Sequence, residues 1–321
     1  MTKDETYKLI QKFLQDPPVV IWGSGATIDY GLPSMKDLNN TLKMKYAFFD
    51  KSNTNLEEEL GKDKYEPYLS EIRKTIWECV AIKDKTILDD IVNNFPEYTG
   101  IRLLLEKFSA PYPNILNIIT TNYDRVLENI LVTNNFAFTD GFSGRMLSLF
   151  EEEIFINNSN KKSKDPFVNL IKVHGSLNWF NINGETRYYS DDNSYEPTII
   201  PPGKNKYKQA YSEPYRSLIQ ISDRTIKNSK SILVIGFGFN DEHITPRITE
   251  QIRKGVPIIV LTKKITDTTK EQLENASCYL TLEEGAFGKT NISYKNTSSD
   301  TVYSEEYDGV LWQLNNFMEA L

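Results

Sequence analysis

Short apolar runs punctuate the chain at Pro18–Trp22, Ile115–Thr120, Val168–Val173, Ser231–Ile235 and Val256–Leu261. They are rich in valine and isoleucine and lack polar–apolar alternation. That pattern predicts strands covered on both faces, as in a parallel sheet sandwiched by helices. The intervening segments carry helical periodicity. Residues 34–48 open with Ser34-Met35-Lys36-Asp37, a capping box, and helices predicted over 124–132 and 242–254 follow their strands directly. Alternating strands and helices imply right-handed crossovers and an α/β fold built on a doubly wound, mostly parallel sheet.

Residues 50–110 have helical patterns but no comparable strand, which predicts an inserted helical module in a single domain spanning 1–321. The polar stretches 157–165 and 291–300 read as exposed loops. The stretch 181–212, with Pro197, Pro201, Pro202 and Gly203, reads as a long loop or irregular lid. A C-terminal helix over 308–321 carries Val310, Leu311, Leu314, Phe317, Met318 and Leu321 on one stripe. Docking on its own domain is the favoured use of that stripe, and a partner surface is the alternative.

Composition narrows the classes. No run approaches the ~20 apolar residues of a membrane span, and the charged N-terminus lacks a signal peptide's apolar core, so a cytoplasmic protein is expected. The formal charge of −7 argues against broad electrostatic binding of nucleic acid. Two cysteines, Cys79 and Cys278, exclude a disulfide framework and a four-cysteine zinc ribbon. With His174 and His243 as the only histidines, zinc has few good ligands and no metal is expected.

Chemistry collects just after the predicted strands. Gly23-Ser24-Gly25-Ala26-Thr27 and Gly31-Leu32-Pro33 follow the first, and Thr121-Asn122-Tyr123-Asp124 the second. His174-Gly175-Ser176 ends the third, and Gly236-Phe237-Gly238-Phe239-Asn240-Asp241 the fourth. In open α/β sheets ligands bind outside the carboxyl ends of the strands, so these motifs converge on one edge. Gly23 and Gly25 suit a tight turn and close approach to a pyrophosphate, although a strand-to-helix turn alone explains them equally well. An ordinary dinucleotide dehydrogenase is disfavoured, because Leu42–Phe49 is helical where a second strand ending in a ribose-binding acid is required. Asp124 suits a helix cap. Asn122 can orient a water or a ribose hydroxyl, and His174 suits a general base. His243 reads as surface, or as support behind the site.

In order and in position these motifs resemble the sirtuin superfamily. Gly23–Thr27 with Gly31-Leu32-Pro33 resembles its Gly-Ala-Gly-x-Ser and Gly-Ile-Pro, Thr120–Asp124 its Thr-Gln-Asn-x-Asp, and His174-Gly175 its catalytic His-Gly. The resemblance spans roughly 15–262. It implies that Asn122 holds the attacking water or the nicotinamide ribose, that His174 is the base, and that Asp124 binds the carboxamide. It also implies that Gly23, Ser24, Gly25 and Thr27 line the diphosphate, with Pro33 and Thr121 beside them. Gly236 and Gly238 fall on the adenosine side. Asp241 resembles an Asp of the bacterial defence branch. The family's Asp-Phe-Arg is replaced by Ser34-Met35-Lys36, and its zinc module is missing. Those departures resemble the zinc-free NAD hydrolases of prokaryotic antiviral systems. They imply NAD+ as substrate, a gated activity, a homo-oligomer, and a HerA-like ATPase as partner. The alternatives are an NAD-dependent deacylase and a non-catalytic sensor of NAD or ADP-ribose.

Overall fold

The computed structural model describes residues 3–93, 95–144, 146–160, 165–190, 195–203, 211–296 and 301–321. Its strands are β1 Val19–Trp22, β2 Ile115–Thr120, β3 Ala137–Thr139, β4 Phe142–Ser143, β5 Leu147–Phe150, β6 Phe167–Lys172 and β7 Trp179–Ile182. These are followed by β8 Glu185–Tyr189, β9 Glu196–Pro197, β10 Ile232–Ile235, β11 Ile258–Thr262, β12 Tyr279–Glu284, β13 Thr290–Lys295 and β14 Val302–Tyr307. The α-helices are α1 Lys3–Phe13, α2 Met35–Lys45, α3 Leu56–Leu60, α4 Leu69–Asn93, α5 Thr99–Ser109 and α6 Val126–Thr133. After them come α7 Glu152–Asn160, α8 Tyr215–Lys227, α9 Thr245–Arg253, α10 Asp267–Glu274 and α11 Leu314–Glu319.

Among the described residues the large sheet has the order β14-β13-β12-β11-β10-β1-β2-β6-β3. From β12 through β3 every pairing is parallel, and β13 and β14 add an antiparallel edge. This is the doubly wound, mostly parallel α/β sheet that the apolar runs predict. Val20 and Trp22 enter a core with α1, α2, α4 and α5, whereas Val19 and Ile21 enter a second core with α8 and α9. β1 is therefore buried on both faces, which is why its sequence lacks polar alternation.

β1 is the switch point. The chain moves from β1 to β2 on one side and later returns through β10 on the other. The connections there leave opposite faces of the sheet and open a crevice beyond the strand ends. Helices α3, α4 and α5 come between β1 and β2.

Several expected loops are corrected. Within 181–212, β7 and β8 form an antiparallel hairpin around Asn183-Gly184, and β9 pairs with β7 in a second sheet ordered β4-β5-β8-β7-β9. Both turn residues have positive φ, at 56° and 87°, as a tight hairpin turn of this Asn-Gly type requires. Residues 191–194 and 204–210 lie outside the described residues. In 157–165, α7 runs to Asn160, and 161–164 lie outside them. In 291–300, β13 pairs on both sides through Lys295, and 297–300 lie outside.

The C-terminal stripe docks on the chain's own body. Leu311, Phe317 and Met318 are buried in the core, and the Asn315 side chain accepts the Gly100 amide of α5 at 2.7 Å. Phe317→Ala should lower unfolding stability by about 3–5 kcal/mol, read from the urea midpoint at unchanged m-value. An unmoved midpoint would show that the helix contributes no core.

Candidate active site

The loops after β1 and β10 meet backbone to backbone. A Cβ added at Gly236 would lie 2.1 Å from the Ala26 nitrogen, and one at Gly23 2.4 Å from the Gly236 carbonyl oxygen. Gly236 also holds φ at +61°, a region costly for residues with a side chain. The contact is sealed by hydrogen bonds from the Gly23 amide to the Ile235 carbonyl and from the Gly25 amide to the Gly236 carbonyl, both 2.9 Å. The Ala26 and Thr27 amides donate to Gly23 and Ser24 carbonyls inside a short 3₁₀ turn. These glycines join two loops, and the amides of Gly23, Gly25, Ala26 and Thr27 are already committed within the protein.

A cavity of about 560 Å³ opens at this junction. Its walls include Ser24, Thr27, Pro33, Thr121, Asn122, Asp124, His174, Gly236, Gly238 and Asp241. Gly23 is not among the described lining residues, and Gly25 faces a neighbouring cavity of about 390 Å³ that also reaches Gly236 and Thr262. Sequence reasoning missed the wall supplied by the helical segment, including Asn55, Leu56, Glu57 and Val80. Met35 and Lys36, in the first turn of α2, also line the cavity. Ser34 caps that helix, its hydroxyl accepting the Asp37 amide while the Asp37 carboxylate accepts the Ser34 amide.

Asn122 is held by its nitrogen. Nδ2 donates to the Gly23 carbonyl at 3.2 Å and to Thr27 Oγ1 at 3.3 Å. A carbonyl can only accept, so the amide orientation is fixed by chemistry. The buried Oδ1 has no protein partner. An unpaired buried acceptor costs about 1–3 kcal/mol unless something donates to it, and here it belongs to a cavity-lining residue.

His174 is buried at the end of β6, where Gly175 turns the chain with φ of +87°. Its Nε2 lies 3.0 Å from Asp241 Oδ2 and 3.4 Å from His243 Nδ1. The other oxygen, Oδ1, accepts the His243 amide at 3.0 Å. A proton on Nε2 leaves the neutral imidazole's lone pair on Nδ1. Asp241 therefore orients the histidine, a role its place in the sequence did not disclose. Of the two readings of His243, surface or support behind the site, the geometry fits the second: its side chain is 7% exposed, with Nδ1 3.4 Å from His174 Nε2. Phe239, two residues before Asp241, holds a positive φ of 60° while packed in the core. Backbone strain of this kind persists only where its surroundings enforce it.

Asp124 lines the cavity, and its Oδ1 accepts the amide of Val126, the first residue of α6, at 3.2 Å, although the N-cap position itself is Arg125. Burial raises its carboxyl to about 7. The Lys172 ammonium opposes the rise, and Asp84 and Glu128 reinforce it. Lys172, fully buried on β6, pairs with Glu128 and bonds the Asp124 carbonyl. Asp84 of α4 accepts the Arg125 amide at 2.6 Å and its guanidinium at 2.8 Å, tying the loop after β2 to the helical segment.

Residues 116–277, just over half the chain, match the family model described as SIR2-like domain. The chain belongs to the SIR2-like domain family. Among solved structures, a Sir2 homologue in complex with NAD aligns at 16% identity over 82% of this chain and 84% of that one, with a TM-score of 0.43. Sir2 bound to acetylated peptide aligns at 14% over 84% and 90%, with a TM-score of 0.45. No curated protein matches the sequence.

The carboxyls predict a pH signature. Asp124 and Asp140, the latter raised by burial to about 6, keep protons in the folded state that the unfolded chain sheds near its ordinary value of 3.8. Stability should fall as pH rises from 3.8 to about 7 and then level off. Asp124→Asn should remove the slope between about 6 and 7, measured as Tm against pH. A slope that survives the substitution would place the buried proton elsewhere.

Proposed function

We propose that this protein hydrolyses the nicotinamide–ribose bond of NAD+, releasing nicotinamide and ADP-ribose. The observation that carries the proposal is the shared cavity, where an amide oxygen with no protein partner and a carboxylate-oriented imidazole meet at the switch point of a SIR2-like sheet. Breaking this bond builds positive charge on the ribose while neutral nicotinamide leaves. The protein must mainly place a water, accept its proton and stabilise the charge. Asn122 Oδ1 accepts from that water or from a ribose hydroxyl. His174 takes the proton through Nδ1, and Asp241 steadies the resulting imidazolium. Asp124, with a carboxyl near 7, donates or accepts at the carboxamide.

Anion binding falls chiefly to other groups than the glycine amides. Lys36 is at the cavity wall and suits a diphosphate. Ser24 and Thr27 offer hydroxyls, with Pro33 and Thr121 completing the wall. The neighbouring cavity, joined at Gly236, suits the rest of the dinucleotide, with Gly25 and Gly238 flanking the passage. The chain acts as one domain of residues 1–321, cytoplasmic and oligomeric. Its activity is gated, as antiviral NAD depletion through a HerA-like ATPase requires. Among the described residues no helix is long and apolar enough to cross a membrane.

His174→Ala and Asn122→Ala should each lower nicotinamide release by about 10²-fold or more, the usual worth of such a group, at unchanged Tm. Chromatography of NAD+ incubations reads the loss, and undiminished turnover in both variants rejects the assignment. Free ADP-ribose without added peptide marks hydrolysis, whereas O-acetyl-ADP-ribose formed only with acetylated peptide marks a deacylase.

A further inference from the structure

We propose that His174, Asp241 and His243 form a binding site for a divalent transition metal such as zinc, and that filling it switches His174 off. The inhibitory half rests on the catalytic reading above; the metal site does not. Counting histidines and cysteines makes a zinc site look short of ligands. Folding supplies the third ligand as a carboxylate, and among the described residues these three offer donor atoms all within 4.8 Å of one another.

Two of the three spacings suit a tetrahedral ion. Zinc binds imidazole nitrogen and carboxylate oxygen at about 2.0–2.2 Å, which places ligand atoms about 3.3 Å apart. Here His174 Nε2 is 3.0 Å from Asp241 Oδ2 and 3.4 Å from His243 Nδ1, close to that spacing, whereas His243 Nδ1 is 4.0 Å from the other carboxylate oxygen, Oδ1, so an ion shared by all three requires the carboxylate to rotate and bring one oxygen towards both rings. Two imidazoles and one carboxylate leave a fourth position for water, as in zinc sites that keep an open coordination position. All three side chains are 7% exposed or less. His174 and Asp241 line the main cavity, which gives an ion its way in. His243 touches His174 without being among the described residues lining that cavity.

Inhibition follows from the two nitrogens of one ring. Without metal, a neutral His174 that carries its proton on Nε2, the nitrogen beside Asp241, keeps its lone pair on Nδ1. A metal on Nε2 displaces that proton, which the neutral ring then carries on Nδ1. The nitrogen that would accept a proton from water is thereby occupied. The exchange needs no net change in protons.

The test uses the full-length chain, stripped with chelator and then titrated with Co²⁺ or Zn²⁺. One ion should bind per chain, with the intense visible absorption of tetrahedral Co²⁺. His243→Ala and His243→Gln should each abolish that band. In the NAD+ assay, Zn²⁺ should slow the wild type by about 10²-fold or more, the worth of a general base, and EDTA should restore it. The His243 variants should cleave NAD+ with or without Zn²⁺. No metal uptake by wild type, or uptake unchanged in both His243 variants, overturns the site. Uptake that requires His243, with NAD+ cleavage by the stripped wild type unmoved by Zn²⁺, upholds the metal site and rejects the switch on His174.

Discussion

The site depends on one steric constraint: the loops leaving β1 and β10 touch through their backbones, with no space for a side chain between them. A parallel pair at a switch point brings two strand ends within one strand spacing. If both following loops are to stay over the crevice, they must pack flat on each other. Gly23, Gly25 and Gly236 allow this, and the Gly25–Gly236 hydrogen bond locks it. The position of Asn122 follows, because its Nδ2 is anchored on the Gly23 carbonyl and Thr27. Moving the glycine contact would move the amide whose oxygen is left for a ligand.

The same contact redistributes the work of holding an anion. Glycine-rich turns commonly cradle phosphate with free amides, but here most of those amides are spent on the loop junction. Among the described residues the cation lining the cavity is Lys36, and the start of α2 is already met by the Asp37 carboxylate of its capping box. Lys36 falls where the sirtuin pattern carries arginine, so the altered Ser34-Met35-Lys36 stretch still brings a cation to the cavity. Buried charge elsewhere secures position more than stability. Removing two charges from water costs about as much as their attraction returns. The Asp84–Arg125 and Lys172–Glu128 pairs are therefore better understood as pins that hold the Asn122–Asp124 loop against the helical segment and the sheet.

Much of this was legible in the chain. The valine- and isoleucine-rich runs mark strands buried on both faces, and the structure gives them two separate cores. Ser34 and Asp37 form the capping box that their spacing suggests. The motif order places Asn122, Asp124, His174 and Asp241 around one cavity. The second sheet was less visible because prolines at 197, 201 and 202 suggest irregular chain. Yet Asn183-Gly184 between Trp179–Ile182 and Glu185–Tyr189 is a strong hairpin signal. The described part of that stretch is a fixed wall, with Ile200 donating its amide to the His174 carbonyl and accepting from Tyr123. Contact between His174 and His243 had no sequence signal. It depends on how the 236–244 loop winds through a left-handed Gly236 and a left-handed Phe239.

That winding also decides what His174 can be. A histidine is a base through whichever nitrogen lacks the proton, and a carboxylate on one nitrogen selects the other. Asp241 sets Oδ2 3.0 Å from His174 Nε2 while its Oδ1 accepts the His243 backbone amide, so a single carboxylate faces one ring and holds the chain that carries the other. The carboxylate beside His174 therefore also holds the loop that brings a second imidazole to 3.4 Å from it. Separating the two roles would require a different loop between β10 and α9, because one carboxylate cannot orient His174 in this geometry and leave His243 remote.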